Sequence, residues 1–201
     1  MSAVVLATRN AHKTRELARI LSPYGIELAS LDDWPDVPDV AETGVTFAEN
    51  ALLKARAVAS ATGLVSIADD SGLVVDALNG MPGVLSARWA GRHGDEAANL
   101  SLVLAQLADV PGERRGAAFV CAAAAVAPSG ESIEVEGRVD GTLLRSARGS
   151  GGFGYDPIFV PLGETRTTAE MSADEKDALS HRGKAFRALA PRLNELPGAV
   201  E

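Results

Sequence analysis

A run of apolar residues, Leu64-Val65-Ser66-Ile67-Ala68, ends on two adjacent carboxylates, Asp69 and Asp70, followed by Ser71 and Gly72. An apolar run of this length bounded by glycine predicts a buried strand. The acids constrain it further, because like charges side by side at a strand exit oppose each other's ionisation. A divalent cation removes that conflict. Mg2+ takes one or two carboxylate oxygens and fills its other positions with water and phosphate. Two readings stand. The acids are the metal and catalytic centre of a phosphate-handling enzyme, or they form an Asp-Asp-Ser-Gly turn that ends a strand.

Around this run, strand and helix signals alternate. Val4 to Ala7 and Ile26 to Leu31 predict strands. Between them Leu17, Ile20 and Leu21 mark one face of a helix, with Asn10 as its N-cap. Asp32 to Gly44 holds two prolines and five acids and predicts a long loop. Thr46 and Glu49 match a capping box for a helix running to about Thr62. Pro82-Gly83 predicts a turn, and Leu100, Leu104 and Leu107 put Asp95 to Ala108 in a helix. Ala117 to Ala127 and Ile133 to Val139, joined by Pro128-Ser129-Gly130, predict a hairpin. Ile158 to Val160 predicts a strand, and Ala173 to Leu179 and Gly183 to Leu193 predict helices. The tail after Pro197 is expected to fray. Early alternation followed by a hairpin favours an α/β fold with a mixed sheet.

The 201 residues show no repeat and no linker, so 1–201 is expected to form a single α/β domain, with room for two closely packed lobes. A net charge of −8 argues against nucleic-acid or anionic-membrane partners, which reward clustered Lys and Arg. A nucleotide needs only a local basic pocket and a metal. No apolar run approaches a membrane span. Met1-Ser2-Ala3-Val4-Val5-Leu6 lacks a basic leader segment, so a cytoplasmic protein is expected. Cys121, the only cysteine, lies in an apolar run and is expected to be a buried, inert thiol.

Four further segments carry chemistry. Thr8-Arg9-Asn10-Ala11-His12-Lys13-Thr14-Arg15-Glu16 joins a strand to a helix, where free N–H groups attract anions and Lys13 adds charge. An ordinary capped helix with Lys13 and Glu16 as a surface pair also accounts for it. On the helix after Thr46, Asn50 and Lys54 share a face. Lys54 is a phosphate ligand or a solvated lysine, and Glu42 completes a metal site with Asp70 or is one acid of a solvated loop. Gly149-Ser150-Gly151-Gly152-Phe153-Gly154 spells G-x-G-x-x-G, but a strand rather than a helix follows, so it is not a dinucleotide-binding turn. Its glycines leave Phe153 and Tyr155 to stack on a nucleobase and Asp156 to accept from a base N–H, or leave the rings to tuck into the core. Finally, Lys176 and Ser180-His181-Arg182-Gly183-Lys184 offer phosphate contacts or a capped helix junction. No zinc spacing, Walker A sequence or G-x-S-x-G elbow is present.

Taken in order, Thr8-x-Asn10-x-x-Lys13-x-x-Glu16, Glu42-Thr43-Gly44, Asn50-Ala51-x-x-Lys54-Ala55, Ala68-Asp69-Asp70-Ser71-Gly72-Leu73, Gly152-Phe153-Gly154-Tyr155-Asp156-Pro157 and Ser180-His181-Arg182-Gly183 closely resemble the inosine/xanthosine triphosphatases of the HAM1-like family. Pro82-Gly83 and Ser86-Ala87-Arg88 also match. The resemblance runs from about Val4 to about Leu193.

The resemblance implies a two-lobed α/β protein on a long, curved mixed sheet flanked by helices, with the active site in the cleft between lobes, usually as a homodimer. It implies Mg2+-dependent hydrolysis of ITP, dITP and XTP to monophosphate and pyrophosphate, which clears deaminated purines from the nucleotide pool. Carried over by position, Thr8, Asn10 and Lys13, with Arg9, Ala11 and His12 in the same loop, hold the triphosphate, and Lys54 lies nearby. Asp70 accepts the proton of the attacking water and, with Glu42, binds the metal. Asp69 is the alternative residue for sharing the metal role. Ser71 touches substrate. Phe153 stacks on the base beside Gly154, Tyr155 and Asp156, and Lys176, His181 and Arg182 close over base and sugar-phosphate. Arg9 departs from the family pattern, which often has a small residue there. Backbone donors near His181 and Arg182 would read the C6 carbonyl of the base and reject adenine. A metal-dependent phosphomonoesterase and a non-catalytic nucleotide-binding regulator are the rival readings.

Overall fold

The computed structural model describes residues 3–198, so the expected fraying of the last three residues lies outside the described chain. Six strands form one mixed sheet in the order β2-β1-β3-β4-β5-β6. These are β1 (Val4–Leu6), β2 (Leu28–Ser30), β3 (Ser66–Val75), β4 (Gly116–Val126), β5 (Ser132–Leu143) and β6 (Phe159–Pro161). β1 is parallel to β2 and to β3, and β6 is antiparallel to β5. Among the described residues five α-helices accompany them: α1 (Ala11–Leu21), α2 (Phe47–Thr62), α3 (Glu96–Gln106), α4 (Ala173–Leu179) and α5 (His181–Leu189). Among the described residues no helix is long and apolar enough to cross a membrane.

The helix starts follow their sequence signals. Asn10 Oδ1 accepts from the backbone N–H of His12 at 2.9 Å and Lys13 at 3.2 Å, a cap worth about 1 kcal/mol. Thr46 and Glu49 form the expected reciprocal capping box on α2, which ends at Gly63 in the left-handed region. The β4–β5 hairpin is present. α5 starts two residues earlier than predicted and gives way to 3-10 turns over Ala190–Glu195.

The largest departure concerns β3. The sequence places the strand end at Asp69-Asp70, but β3 runs on through both acids, Ser71 and Gly72 to Val75. Gly72 is an interior strand residue. A Cβ there would lie 2.3 Å from Ser86 Oγ and 2.5 Å from the Gly83 carbonyl, so the glycine admits a close approach. Ser86 Oγ accepts from Leu73 N–H at 2.9 Å and donates to the Gly83 carbonyl at 2.7 Å.

The chain groups into two compact units. The first comprises the chain through Asp70, Cys121–Gly137, and the chain from Arg182 onward; the second comprises Ser71–Val120 and Arg138–His181. In the first unit strand alternation sorts the core cleanly. Val4, Leu6, Ile67, Cys121, Ala123 and Ala125 face α1 and α5, packing with Leu17, Ile20, Phe186 and Leu189. Val5, Ala7, Ala68, Ala122, Ala124 and Val126 face the other way, onto Ala51, Ala55 and Val58 of α2. The second unit packs Leu73, Val75, Val103, Leu107, Phe119, Tyr155, Ile158 and Phe159 into its own core.

Candidate active site

Alternation along β3 separates the two acids. Asp69 shares the face of Ile67 and Asp70 that of Ala68, so neighbouring carboxylates point to opposite sides of the sheet. The expected conflict of like charges at a strand exit is therefore resolved by geometry.

On the α1/α5 face, Asp69 is buried and its Oδ2 accepts from Lys13 Nζ at 3.1 Å and from Arg182 Nη2 at 3.1 Å. Arg182, 1% exposed, also donates to Glu16 Oε2. Glu16 thus belongs to this buried network rather than to a surface pair with Lys13. Burial penalises the Asp69 charge, but Lys13 and Arg182 outweigh it and hold the carboxyl well below its ordinary range. Burial likewise opposes the Arg182 charge, and Asp69 and Glu16 reverse the effect and raise its pKa.

On the α2 face, Lys54 Nζ donates to Glu42 Oε1 at 2.8 Å and to Asp70 Oδ1 at 3.4 Å. Asp70 Oδ2 accepts from Asn50 Nδ2 at 3.0 Å. Here burial is the largest influence on Asp70, and with Glu42 nearby it prevails over Lys54: the pKa is raised. Burial opposes the Lys54 charge too, but Asp70, Asp69 and Glu42 together raise its pKa. The site gathers the predicted Glu42, Lys54 and Asp70 around one ammonium. Among the described residues no three His, Cys, Asp or Glu side chains form a metal cluster. Two hard carboxylates on one face nonetheless suit Mg2+, which draws its other ligands from water and phosphate.

The strand-to-helix loop keeps its polar groups at the start of α1. Thr8 Oγ1 accepts from Asn10 N–H at 3.1 Å, and Ala11 and His12 are exposed in the first turn. Arg9 turns away from that turn into the acidic loop, donating to Asp39 Oδ1 at 2.6 Å and to the Val37 carbonyl at 2.7 Å.

In the second unit, Ser71 follows Asp70 on β3. Asp156 is buried, and its carboxylate accepts from Phe153 N–H at 2.8 Å, Thr168 Oγ1 at 2.8 Å and Lys176 Nζ at 2.7 Å. Gly152, at φ +71°, lets that carboxylate approach: a Cβ there would lie 2.0 Å from Asp156 Oδ2. Glu96 accepts from Gly154 N–H at 2.9 Å. The two aromatics behave differently. Tyr155 tucks into the core with its hydroxyl donating to the Ser86 carbonyl at 2.9 Å, and burial pushes its pKa up. Phe153 is half-buried under the Lys176 ammonium, 5.0 Å from the ring centroid. His181 stacks on Phe119 with ring centroids 4.8 Å apart.

Sequence reasoning missed Asn50 and Glu16 as members of these networks. The available signal was a polar residue on a helix turn that also carries Phe47 and Ala51.

The described geometry has close relatives. Residues 4–192 match the model of the Ham1 family. A dITP/XTP pyrophosphatase of Streptomyces coelicolor is 62% identical over 98% of this chain and 100% of its own. One of Mycobacterium tuberculosis is 58% identical over 98% and 97%. The crystal structure of the Mycobacterium abscessus nucleoside-triphosphatase / dITP/XTP pyrophosphatase, 59% identical, superposes with a TM-score of 0.77 over 94% of this chain and 99% of that one. A HAM1 protein from Coxiella burnetii, 40% identical, superposes with a TM-score of 0.88 over 98% and 100%. With the family pattern matched along nearly its whole length, the chain belongs to the Ham1 family.

Proposed function

We propose that this chain is a cytoplasmic, homodimeric nucleoside triphosphate pyrophosphatase that hydrolyses dITP, XTP and ITP to the monophosphate and pyrophosphate. The observation that carries the reading is the convergence of Glu42, Lys54 and Asp70 on one face of β3. The names of relatives at about 60% identity support it.

Asp70 and Glu42 would hold Mg2+, which when bound neutralises charge on the phosphate oxygens. Thr8, Asn10 and Lys13 bind the triphosphate at the start of α1, with Arg9, Ala11 and His12 in the same loop. Lys54 adds positive charge on the Asp70 face. Asp70 takes a proton from water as the water oxygen bonds to the first phosphorus. The bond from that phosphorus to the bridging oxygen breaks, and pyrophosphate leaves with the electron pair. Lys13 and Lys54 stabilise the charge that develops on it. In the second unit Phe153 stacks on the purine, a contact worth roughly 1–3 kcal/mol. Gly154, Tyr155 and Asp156 shape its loop, and Ser71, Lys176 and His181 meet the rest of the nucleotide. The Arg182 side chain, buried between Asp69 and Glu16, touches no nucleotide in this reading and serves by holding Asp69 in place. Backbone N–H groups near His181 and Arg182 donate to the C6 carbonyl, so adenine, with an amine there, leaves a donor unpaired.

Product analysis with dITP, XTP, ITP and ATP, with and without Mg2+, tests this. Pyrophosphate from the first three, only with metal and far faster than from ATP, is expected. Orthophosphate as the sole phosphorus product, or nucleotide binding without turnover, overturns it.

A further inference from the structure

Asn50 is fully buried in the first turn of α2 and touches two partners that define its orientation. Gly44 donates its backbone N–H to Asn50 Oδ1 at 2.8 Å. The Asn50 Nδ2 donates to Asp70 Oδ2 at 3.0 Å. Gly44 can only donate and an ionised carboxylate can only accept, so just one of the two amide orientations satisfies both.

The same turn of α2 holds the approach to Gly44 in place. Glu49 Oε2 accepts from Val45 N–H at 2.6 Å and Thr46 N–H at 3.2 Å. A Cβ on Gly44 would come within 2.6 Å of Glu49 Cβ and 2.8 Å of Asn50 Oδ1, so the backbone lies flat against the helix. Glu42 is two residues upstream of that clamp. Its carboxylate meets Lys54, one helical turn beyond Asn50, at 2.8 Å.

The geometry points to Asn50 as a positioning residue that locks the Asp70 carboxylate and the Glu42 loop into one arrangement. One amide reads the backbone of the loop and the inner oxygen of the acid together. Asp70 Oδ2 is thereby held by the amide and Oδ1 lies beside Lys54 Nζ at 3.4 Å, and this fixed carboxylate would hold the metal. Asn50 itself touches neither substrate nor reacting atoms. It acts through Asp70 and Gly44, and its role in turnover rests on the hydrolytic reading given above.

Two variants separate the parts. Asn50→Asp keeps the acceptor for Gly44 and removes the donor to Asp70. Asn50→Ala removes both and buries no charge, so it serves where the first variant fails to fold. Supporting residues of this kind typically contribute about 10–100-fold to activity. The expected result, in the variant that folds, is a kcat for dITP lowered by about that factor with KM within about twofold. A second readout needs neither metal nor nucleotide. In the amide NMR spectrum of the metal-free protein, Asp70→Asn is expected to move the Asn50 side-chain NH2 pair and the Gly44 N–H resonance together.

An unchanged kcat in both variants overturns the positioning role, as does a loss that appears in KM with kcat unchanged. Resonances that stay in place in Asp70→Asn also overturn it. A wild type that converts no purine triphosphate fails at the earlier step and removes the function itself, whereas an active wild type with fully active variants removes only this role.

Discussion

Asp69 holds Lys13 and Arg182 at 3.1 Å from one oxygen on the α1/α5 face of β3, whereas Asp70, one residue on, shares the Lys54 ammonium with Glu42 on the α2 face. Burial opposes the charge of both acids. Two cations outweigh it at Asp69, and it prevails at Asp70. A carboxylate gripped by two cations at one oxygen is fixed in place. One that is buried, under-compensated and tied by a neutral amide has affinity to spare for a cation or a proton. On the proposed function the two acids divide scaffold from chemistry, and substitution separates the roles.

The largest effect is expected at the reactive acid. Asp70→Asn keeps the shape and removes the proposed base, so pyrophosphate release from dITP should fall about 10²–10⁴-fold. Its stability to urea should not fall with it, because the substitution removes a charge that the fold disfavours. Asp69→Asn should do the reverse in the folding measurement. It strips Arg182 of its central partner inside the protein, and breaking a buried pair this way costs about 3–5 kcal/mol. Urea unfolding of the two variants side by side checks the contrast. Equal stabilities would break the comparison.

The sequence carried the local signals well. Asn10 as a cap, Thr46 with Glu49 as a capping box and the Pro128-Ser129-Gly130 hairpin all depend on residues a few positions apart, and all stand in the fold. The rejection of a dinucleotide turn at Gly149 also stands, since the β6 strand Phe159–Pro161 follows it. What was illegible depends on partners distant in sequence. β3 continues through four polar or glycine positions because Lys13, Arg182, Asn50 and Lys54 meet its acids and Ser86 meets Gly72. No local rule reports those partners. Phe153 and Tyr155 illustrate the same limit, as the Ser86 carbonyl, 69 residues away, decides that Tyr155 turns inward. Arg9 was read toward the phosphate loop, and Asp39 and the Val37 carbonyl take its guanidinium elsewhere.

A smaller effect follows from pH. The folded pKa of Asp70 lies above its ordinary 3.8, so above both values its charge subtracts from stability. That penalty is relieved as pH falls through the folded pKa. In metal-free protein the stability difference between Asp70→Asn and wild type should therefore be smaller at a pH near that folded pKa than at neutral pH. Asp69 has the opposite sign. Its folded pKa is depressed, so its contribution is present above the unfolded value and is lost only as pH falls through the folded one. The difference between wild type and Asp69→Asn should stay flat across the same range. Urea midpoints for the three proteins at both pH values supply the check, and parallel behaviour of the two differences would contradict the division of roles.

The smallest effect concerns Cys121, which shares the Asp69 face with its Sγ 4.0 Å from Asp69 Oδ2. Burial, then the Asp69 charge, push the thiol pKa far up. Only the thiolate reacts with disulfide reagents. The native protein should therefore leave an aromatic disulfide reagent unconsumed at neutral pH and react once unfolded in urea. Asp69→Asn removes a charge that raises the thiol pKa, which by itself favours the thiolate, and it also loosens the core on that face. Both changes act in the same direction, so this variant should react measurably faster than wild type. Asp70→Asn leaves the α1/α5 face intact and should react as slowly as wild type. Equal labelling rates in the two variants would mean that the faces of β3 are not energetically separate, and the assignment of anchor and base to neighbouring residues would lose its physical ground.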